Sequence, residues 1–204
     1  MMVFFRIASE SPNIRKISLM LEQTGLPCVT KFVAPGENGL PDPEFARISP
    51  NGTAPAMVDV DTGATLFESG AILYYLAEKS GRLLPSRASA RADAIKWLMF
   101  EAANVCPTMI ELHHYLLNDS GQYPQEIFLR YRRRLTHYCA MLDRQLEDRE
   151  YLAGDLSIAD VALYPWTAAL PDMAEIDLKA YPHLSRWASL LDERLAGPVA
   201  VARS

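Results

Sequence analysis

Three short groups of residues carry atoms that could do chemistry: Ala54-Pro55, Glu68-Ser69 and Ser11-Pro12-Asn13. A proline ahead of the apolar run Ala56 to Val60 predicts a strand whose preceding backbone N–H and C=O are left unpaired in the sheet. Ser69 precedes Gly-Ala-Ile-Leu-Tyr-Tyr-Leu and reads as the cap of an amphipathic helix. The first N–H groups of such a helix favour a carboxylate. Glu68, one residue earlier, offers an anionic partner for an amine. These parts suit an amino-acid-like ligand lying along a strand edge. Ser11-Pro12 opens another helix, with serine at the N-cap and proline at the first helical position.

The elements that must hold these groups fall into two kinds. Met2 to Phe5 reads as a strand, and the helix after Ser11 carries the apolar stripe Ile14, Ile17 and Leu21 before stopping at Gly25. Cys28 to Val33 is a second strand, so the short crossover implies a parallel βαβ unit. Residues 34–43, with three prolines and two glycines, are a loop, and residues 44–48 allow a short helix. Ala56–Val60 and Ala64–Phe67 are strands joined by the hairpin signal Asp61-Thr62-Gly63. A helix from Ser69 to Ser80 closes a βαβαββα order, which describes a thioredoxin-like domain over residues 1–81. Residues 82–89 read as a linker, and residues 90–204 as an all-helical domain with helices near 90–117, 124–147, 158–170 and 183–195. Pro107 and Pro165 are expected to kink or break two of these helices. Ser157 with Asp160 three residues on reads as a structural capping box, although aspartate is shorter than the usual glutamate.

Composition excludes several functions. Half of the 204 residues are hydrophobic and 22% are charged, enough apolar material for ordinary cores. A net charge of −5 argues against a nucleic-acid partner, which needs a dense basic surface. No stretch suits a membrane span, and Met1 to Arg6 lacks a signal-peptide layout, so a cytoplasmic protein is expected. Cys28, Cys106 and Cys139 form no Cys-x-x-Cys and read as small core residues of a reducing compartment. The adjacent His113-His114 would point about 100° apart on a helix, so no metal site is expected.

Taken in order and spacing, Ser11-Pro12-Asn13, the Pro55 strand, the Glu68-Ser69 helix start and the Ser157–Asp160 cap resemble the cytosolic glutathione transferases over essentially the whole chain. Residues 11–13, Arg-Ile-Ser-Pro-Asn at 47–51 and Tyr-Leu-Ala-Glu-Lys at 75–79 are most similar to the bacterial nu-class members, relatives of the fungal prion-forming nitrogen regulator. The resemblance implies a homodimer that takes glutathione as co-substrate in the thioredoxin-like half. The helical half would shape a second pocket for an electrophilic or disulfide substrate.

What it implies for residues is specific. Pro55 would be cis and present the Ala54 backbone to the cysteinyl part of glutathione, with Asn51 helping to hold the peptide. Glu68 would take the γ-glutamyl amine, and Ser69 with its helix end the α-carboxylate. The first loop has no cysteine, and no tyrosine stands near the end of the first strand; the resemblance instead implies that Ser11 donates its hydroxyl to the glutathione sulfur, with Asn13 as a second contact. A helix N-terminus there favours the thiolate. Arg130 falls where nu-class members carry an arginine that reaches the site, whereas Arg132 to Arg134 read as a solvated face. Tyr164 and Trp166 are candidate pocket walls, with a plain core role as the alternative. Two departures weaken contacts to the glycyl end of glutathione. Thr53-Ala54 replaces a basic and a β-branched residue, and Asn38-Gly39-Leu40 stands where relatives have glutamine.

The expected activity is glutathione transfer to an electrophile, or exchange with a disulfide. The alternatives are a glutathione-dependent isomerase and a non-catalytic binding module of the same fold.

Overall fold

The computed structural model describes residues 1–34, 42–117 and 125–195. Asn38, the proposed substitute for the missing glutamine, lies outside the described residues. The chain divides into two compact units, Met1–Arg82 and Leu83–Ala196.

The first unit is a four-stranded mixed sheet with helices. Its strands are β1 (Met2–Arg6), β2 (Cys28–Phe32), β3 (Ala56–Asp59) and β4 (Ala64–Phe67), in the order β2-β1-β3-β4. β1 runs parallel to β2 from the Met2–Cys28 pair onward, as the crossover requires. β1–β3 and β3–β4 are antiparallel. Alternation buries Met2, Phe4 and Arg6 of β1 on one face. Helix α1 (Pro12–Thr24) starts where Ser11 Oγ accepts from Ile14 N, and stops at Gly25, whose φ of +68° needs no Cβ to be accommodated. Its buried side is wider than the expected stripe. Lys16, Leu19 and Met20 are fully buried with Ile14 and Ile17, whereas Leu21 is only half-buried. Contact with helix α3 (Ser69–Ser80) adds a second covered face that periodicity toward one sheet does not anticipate. Helix α2 (Pro43–Ala46) is capped by Asp42 Oδ1, which accepts from Glu44 N at 2.8 Å and Phe45 N at 3.1 Å.

The second unit is helical apart from two isolated bridges at Tyr151–Gly154 and Ala153–Asp155. The expected helix over 90–117 is instead α4 (Ala88–Phe100), a π-helical turn (Glu101–Val105) and α5 (Cys106–Leu117). The wide turn is a response to Pro107, whose ring and missing N–H conflict with the carbonyl one turn earlier. Within it the Cys106 N–H reaches Glu101 O, and Thr108 Oγ1 donates to Asn104 O at 2.6 Å. Helix α6 (Gln125–Gln145) follows, and α7 (Ile158–Ala168) passes through Pro165 without breaking. Short α8 (Leu170–Ala174) and α9 (Pro182–Leu195) complete the unit.

Asp160 organises this core. One of its carboxylate oxygens accepts from Ser157 N at 2.9 Å and Ser157 Oγ at 3.1 Å, and the other from Leu152 N at 3.0 Å and Trp187 Nε1 at 2.9 Å. Ser157 Oγ in turn accepts from Ala159 N, so the short aspartate does close the capping box. Complete burial pushes the Asp160 carboxyl above its ordinary range, against the pull of these donors. Leu83 O accepts from Ile158 N at 2.8 Å, which ties the start of the second unit to the same helix entry.

Candidate functional site

The loop over residues 47–55 is built by side chains. Ser49, fully buried, holds its hydroxyl oxygen 2.7 Å from both Thr53 O and Asn51 Oδ1, with its single hydrogen shared between the two acceptors. Asn51 Oδ1 also accepts from Thr53 N at 3.3 Å, and Gly52 turns with φ +69°. This bonding delivers Thr53 and Ala54 to the Ala54–Pro55 bond, which is cis. The β3 ladder begins only at Ala56, so the half-exposed Ala54 lies ahead of the paired backbone. Ser49 is a residue that sequence reasoning missed; its burial behind the loop was the signal.

Asn51 does two things. Its oxygen closes the loop, and its amide points at Glu68 Oε1 across 3.5 Å. Glu68 sits ahead of α3 with φ +69° and ψ 119°, a conformation that non-glycine residues rarely adopt. The expectation that Ser69 caps α3 needs correction. Ser69 is the first helical residue, Glu68 occupies the cap position, and the Glu68 side chain makes no capping hydrogen bond. The uncapped amino end of a 12-residue helix therefore stands beside an exposed carboxylate. Such an end attracts an anion through its N–H groups and the helix dipole. The neighbouring carboxylate suits an amine.

The Ser69 hydroxyl is turned inward because it belongs to a small network. It donates to Asn13 Oδ1 at 3.3 Å and accepts from Lys16 Nζ at 3.3 Å. Lys16 Nζ also donates to Asn13 Oδ1 at 2.7 Å. Asn13 and Ser69, 56 residues apart, are thus joined, and Lys16 is a buried member that sequence reasoning did not single out. At the start of α1, Ser11 Oγ accepts from Ile14 N at 3.3 Å. An oxygen used this way keeps its own hydrogen for another acceptor.

In the first unit, then, Ser11, Asn13, Asn51, Ala54, Pro55, Glu68 and Ser69 fall on two helix starts and one loop. Two of the three thiols are poor nucleophiles. Burial pushes Cys28 up to about 11 in this unit, and Cys139 up to about 12 in the other.

The second unit places its candidates differently. Arg130 is exposed on α6. Tyr164 and Trp166 stand on α7, where Ile158 to Thr167 are all buried. The Tyr164 hydroxyl donates to Asp192, and its ring meets Trp187 edge-on with centroids 6.4 Å apart. Trp166 is only 3% exposed. Both are buried within their unit, as is the rest of α7 from Ile158 to Thr167. A cavity of about 190 Å³ opens elsewhere in the unit, between Asn104, Thr108 and Glu111 on one side and Tyr131, Arg134 and Tyr138 on the other. Arg134, read as solvated, lines it. Arg132 instead donates to Glu175 O at 3.0 Å, a structural bond to the end of α8. Among the described residues no group of three or more His, Cys, Asp or Glu could hold a metal, and no helix is long and apolar enough to cross a membrane.

Comparison with known proteins bears on the family and the fold. Residues 10–79 match the glutathione S-transferase N-terminal domain model, and residues 105–194 match the C-terminal domain model. The chain is 38% identical over 192 residues to the disulfide-bond oxidoreductase YfcG of Escherichia coli, covering 91% of this chain and 88% of that protein. It is 32% identical over 205 residues to the disulfide-bond oxidoreductase YghU of the same organism, covering 91% and 69%. A glutathione transferase from Pseudomonas putida, solved with one glutathione disulfide per subunit, superposes with a TM-score of 0.87 at 29% identity, covering 99% of this chain and 92% of that one. A family member from Pseudomonas fluorescens, solved with two glutathione molecules bound, superposes at 0.86 with 31% identity, covering 97% and 89%. The thioredoxin-like first unit, the helical second unit and both domain matches make this chain a member of the glutathione S-transferase family.

Proposed function

We propose that this chain binds glutathione in its first unit and uses the glutathione thiolate for thiol–disulfide exchange. The observation that carries the reading is the uncapped amino end of α3 beside Glu68 and the Asn51 amide, in the same unit as the Ser11 helix start. The α3 end takes the γ-glutamyl α-carboxylate, and Glu68 takes the amine. The Ala54 backbone pairs with the cysteinyl residue. Ser11 donates its hydroxyl hydrogen to the sulfur while still capping α1, and Asn13 lies one turn position on. A helix end and one hydroxyl together lower a thiol by about one to two pKa units.

The thiolate then attacks one sulfur of a disulfide. A new S–S bond to glutathione forms, the old S–S bond breaks, and the departing sulfur leaves as a thiolate that takes a proton from water. A second glutathione thiolate resolves the mixed disulfide, giving glutathione disulfide and the second thiol. Two glutathiones are oxidised and one disulfide is reduced. No protein thiol is needed, in keeping with the raised Cys28 and Cys139. The disulfide-bond oxidoreductases among its relatives support this reaction over addition to carbon, which would use the same thiolate. In a homodimer, the assembly expected from the resemblance, each protomer carries one such site.

The test is reduction of bis(2-hydroxyethyl) disulfide by glutathione, alongside calorimetric titration with glutathione. Saturable binding and turnover are expected. Ser11→Ala should lower kcat by about tenfold or more with little change in KM, from one charge-assisted hydrogen bond. An absence of binding at millimolar glutathione overturns the proposal, and an unchanged kcat reduces Ser11 to a cap.

A further inference from the structure

Lys16 is fully buried, lies inside α1, and reaches 53 residues along the chain to Ser69. A buried ammonium is retained against a considerable desolvation cost, so its neighbours merit inspection. Its Nζ donates to Asn13 Oδ1 at 2.7 Å and to Ser69 Oγ at 3.3 Å, and Ser69 Oγ donates to the same Asn13 oxygen at 3.3 Å. Every edge of this triangle touches a residue at one of the two helix starts.

Two consequences follow from the donor inventory. The Asn13 oxygen is committed to the ammonium, so its NH₂ group is turned to the opposite side. Ser69 Oγ, taking one hydrogen bond from Lys16, is polarised into a better donor, and its single hydrogen swings from Asn13 Oδ1 to an anion arriving at the α3 end. The charge itself lies one hydroxyl away from that end, where the helix already favours anions.

We infer that Lys16 is a positioning residue and buried counter-charge for the α-carboxylate of the γ-glutamyl group, acting through Ser69 and Asn13; this rests on the glutathione site proposed above. Its contribution is to ligand affinity and to discrimination for that carboxylate.

The experiment compares glutathione with 4-aminobutyryl-cysteinylglycine, which lacks only the α-carboxylate, by calorimetry on the wild type and on Lys16→Met. Methionine keeps the length and packing of the stem and removes the charge. The wild type is expected to bind glutathione at least tenfold more tightly than the decarboxylated peptide. In Lys16→Met that ratio should fall by about tenfold, through glutathione alone, while the affinity for the decarboxylated peptide holds. Lys16→Arg, which keeps the charge, should restore part of the ratio. If Lys16→Met fails to fold, Lys16→Gln reads the same ratio with a polar, neutral side chain. Equal losses for both peptides would make Lys16 merely structural, and no loss for either would remove it from the site; each overturns the inference. A wild type that binds both peptides equally refutes the underlying carboxylate site instead, and does so before any variant is made.

Discussion

Replacing Glu68 separates a folding cost from a binding benefit. The residue is held at φ +69° and ψ 119° immediately before α3. A non-glycine residue in such a sparsely populated region costs about 1–3 kcal/mol. Glu68→Gly removes that cost but adds about 0.5–1 kcal/mol of chain entropy in the unfolded state. Glu68→Ala removes the carboxylate and keeps the awkward backbone. Little else is lost, because the Asn51 amide reaches Glu68 at only 3.5 Å and the side chain is exposed. The glycine variant should therefore be more stable than the alanine variant, by up to about 2.5 kcal/mol, in urea unfolding monitored by circular dichroism. Both should bind glutathione about two- to fivefold more weakly by calorimetry, the worth of an exposed amine–carboxylate pair. An alanine variant more stable than the glycine variant by about 0.5–1 kcal/mol, the bare entropy difference, would show that the backbone stores no strain at residue 68. Unchanged glutathione affinity in both would show that Glu68 is not the amine's partner.

Other expectations follow from the same geometry. Lys79 Nζ and Tyr75 Oη each donate to Asp59 Oδ2 at 2.6 Å and hold its carboxyl well below the usual range, so its contribution is present above about pH 4, the unfolded aspartate value, and lost as pH falls. The stability gap between wild type and Asp59→Asn, from urea curves, should be widest near neutrality and narrow on acidification; a gap independent of pH would refute it. Asp160→Ala strands four donors in the second unit's core and should cost about 3–5 kcal/mol, read as a fall in unfolding midpoint. A variant with alanine at Cys28, Cys106 and Cys139 should keep its glutathione-dependent disulfide reduction within about twofold, and a larger loss of kcat in the folded variant would bring a protein thiol into the mechanism.

The parts of the fold legible in the sequence were those with local causes. Ser11, Ser157 and the glycines at positions 25 and 81 mark helix ends because capping and a left-handed φ involve neighbours a few residues away. The parallel β1–β2 pair followed from the length of one crossover. The groups most relevant to a peptide ligand, Ala54-Pro55 and Glu68-Ser69, stood out by residue type alone.

What escaped the sequence has partners far along the chain. Asp143 caps α9 from α6, accepting from His183 N and Leu184 N some 40 residues later, and no local signal near Pro182 announces it. Tyr164 and Trp166 read as pocket walls or core, and their burial with the rest of α7 is decided by how many neighbours a helix receives. Lys16 shows the limit most plainly. Beside Arg15 it reads as one more surface cation, since a charge is assigned to the core only when the groups that compensate it are known. Residue types thus determined that a thioredoxin-like unit was present. Only the packing of α1 against α3, which brings Asn13, Lys16 and Ser69 within hydrogen-bonding reach, decided how the amino end of α3 is held and what charge lies behind it.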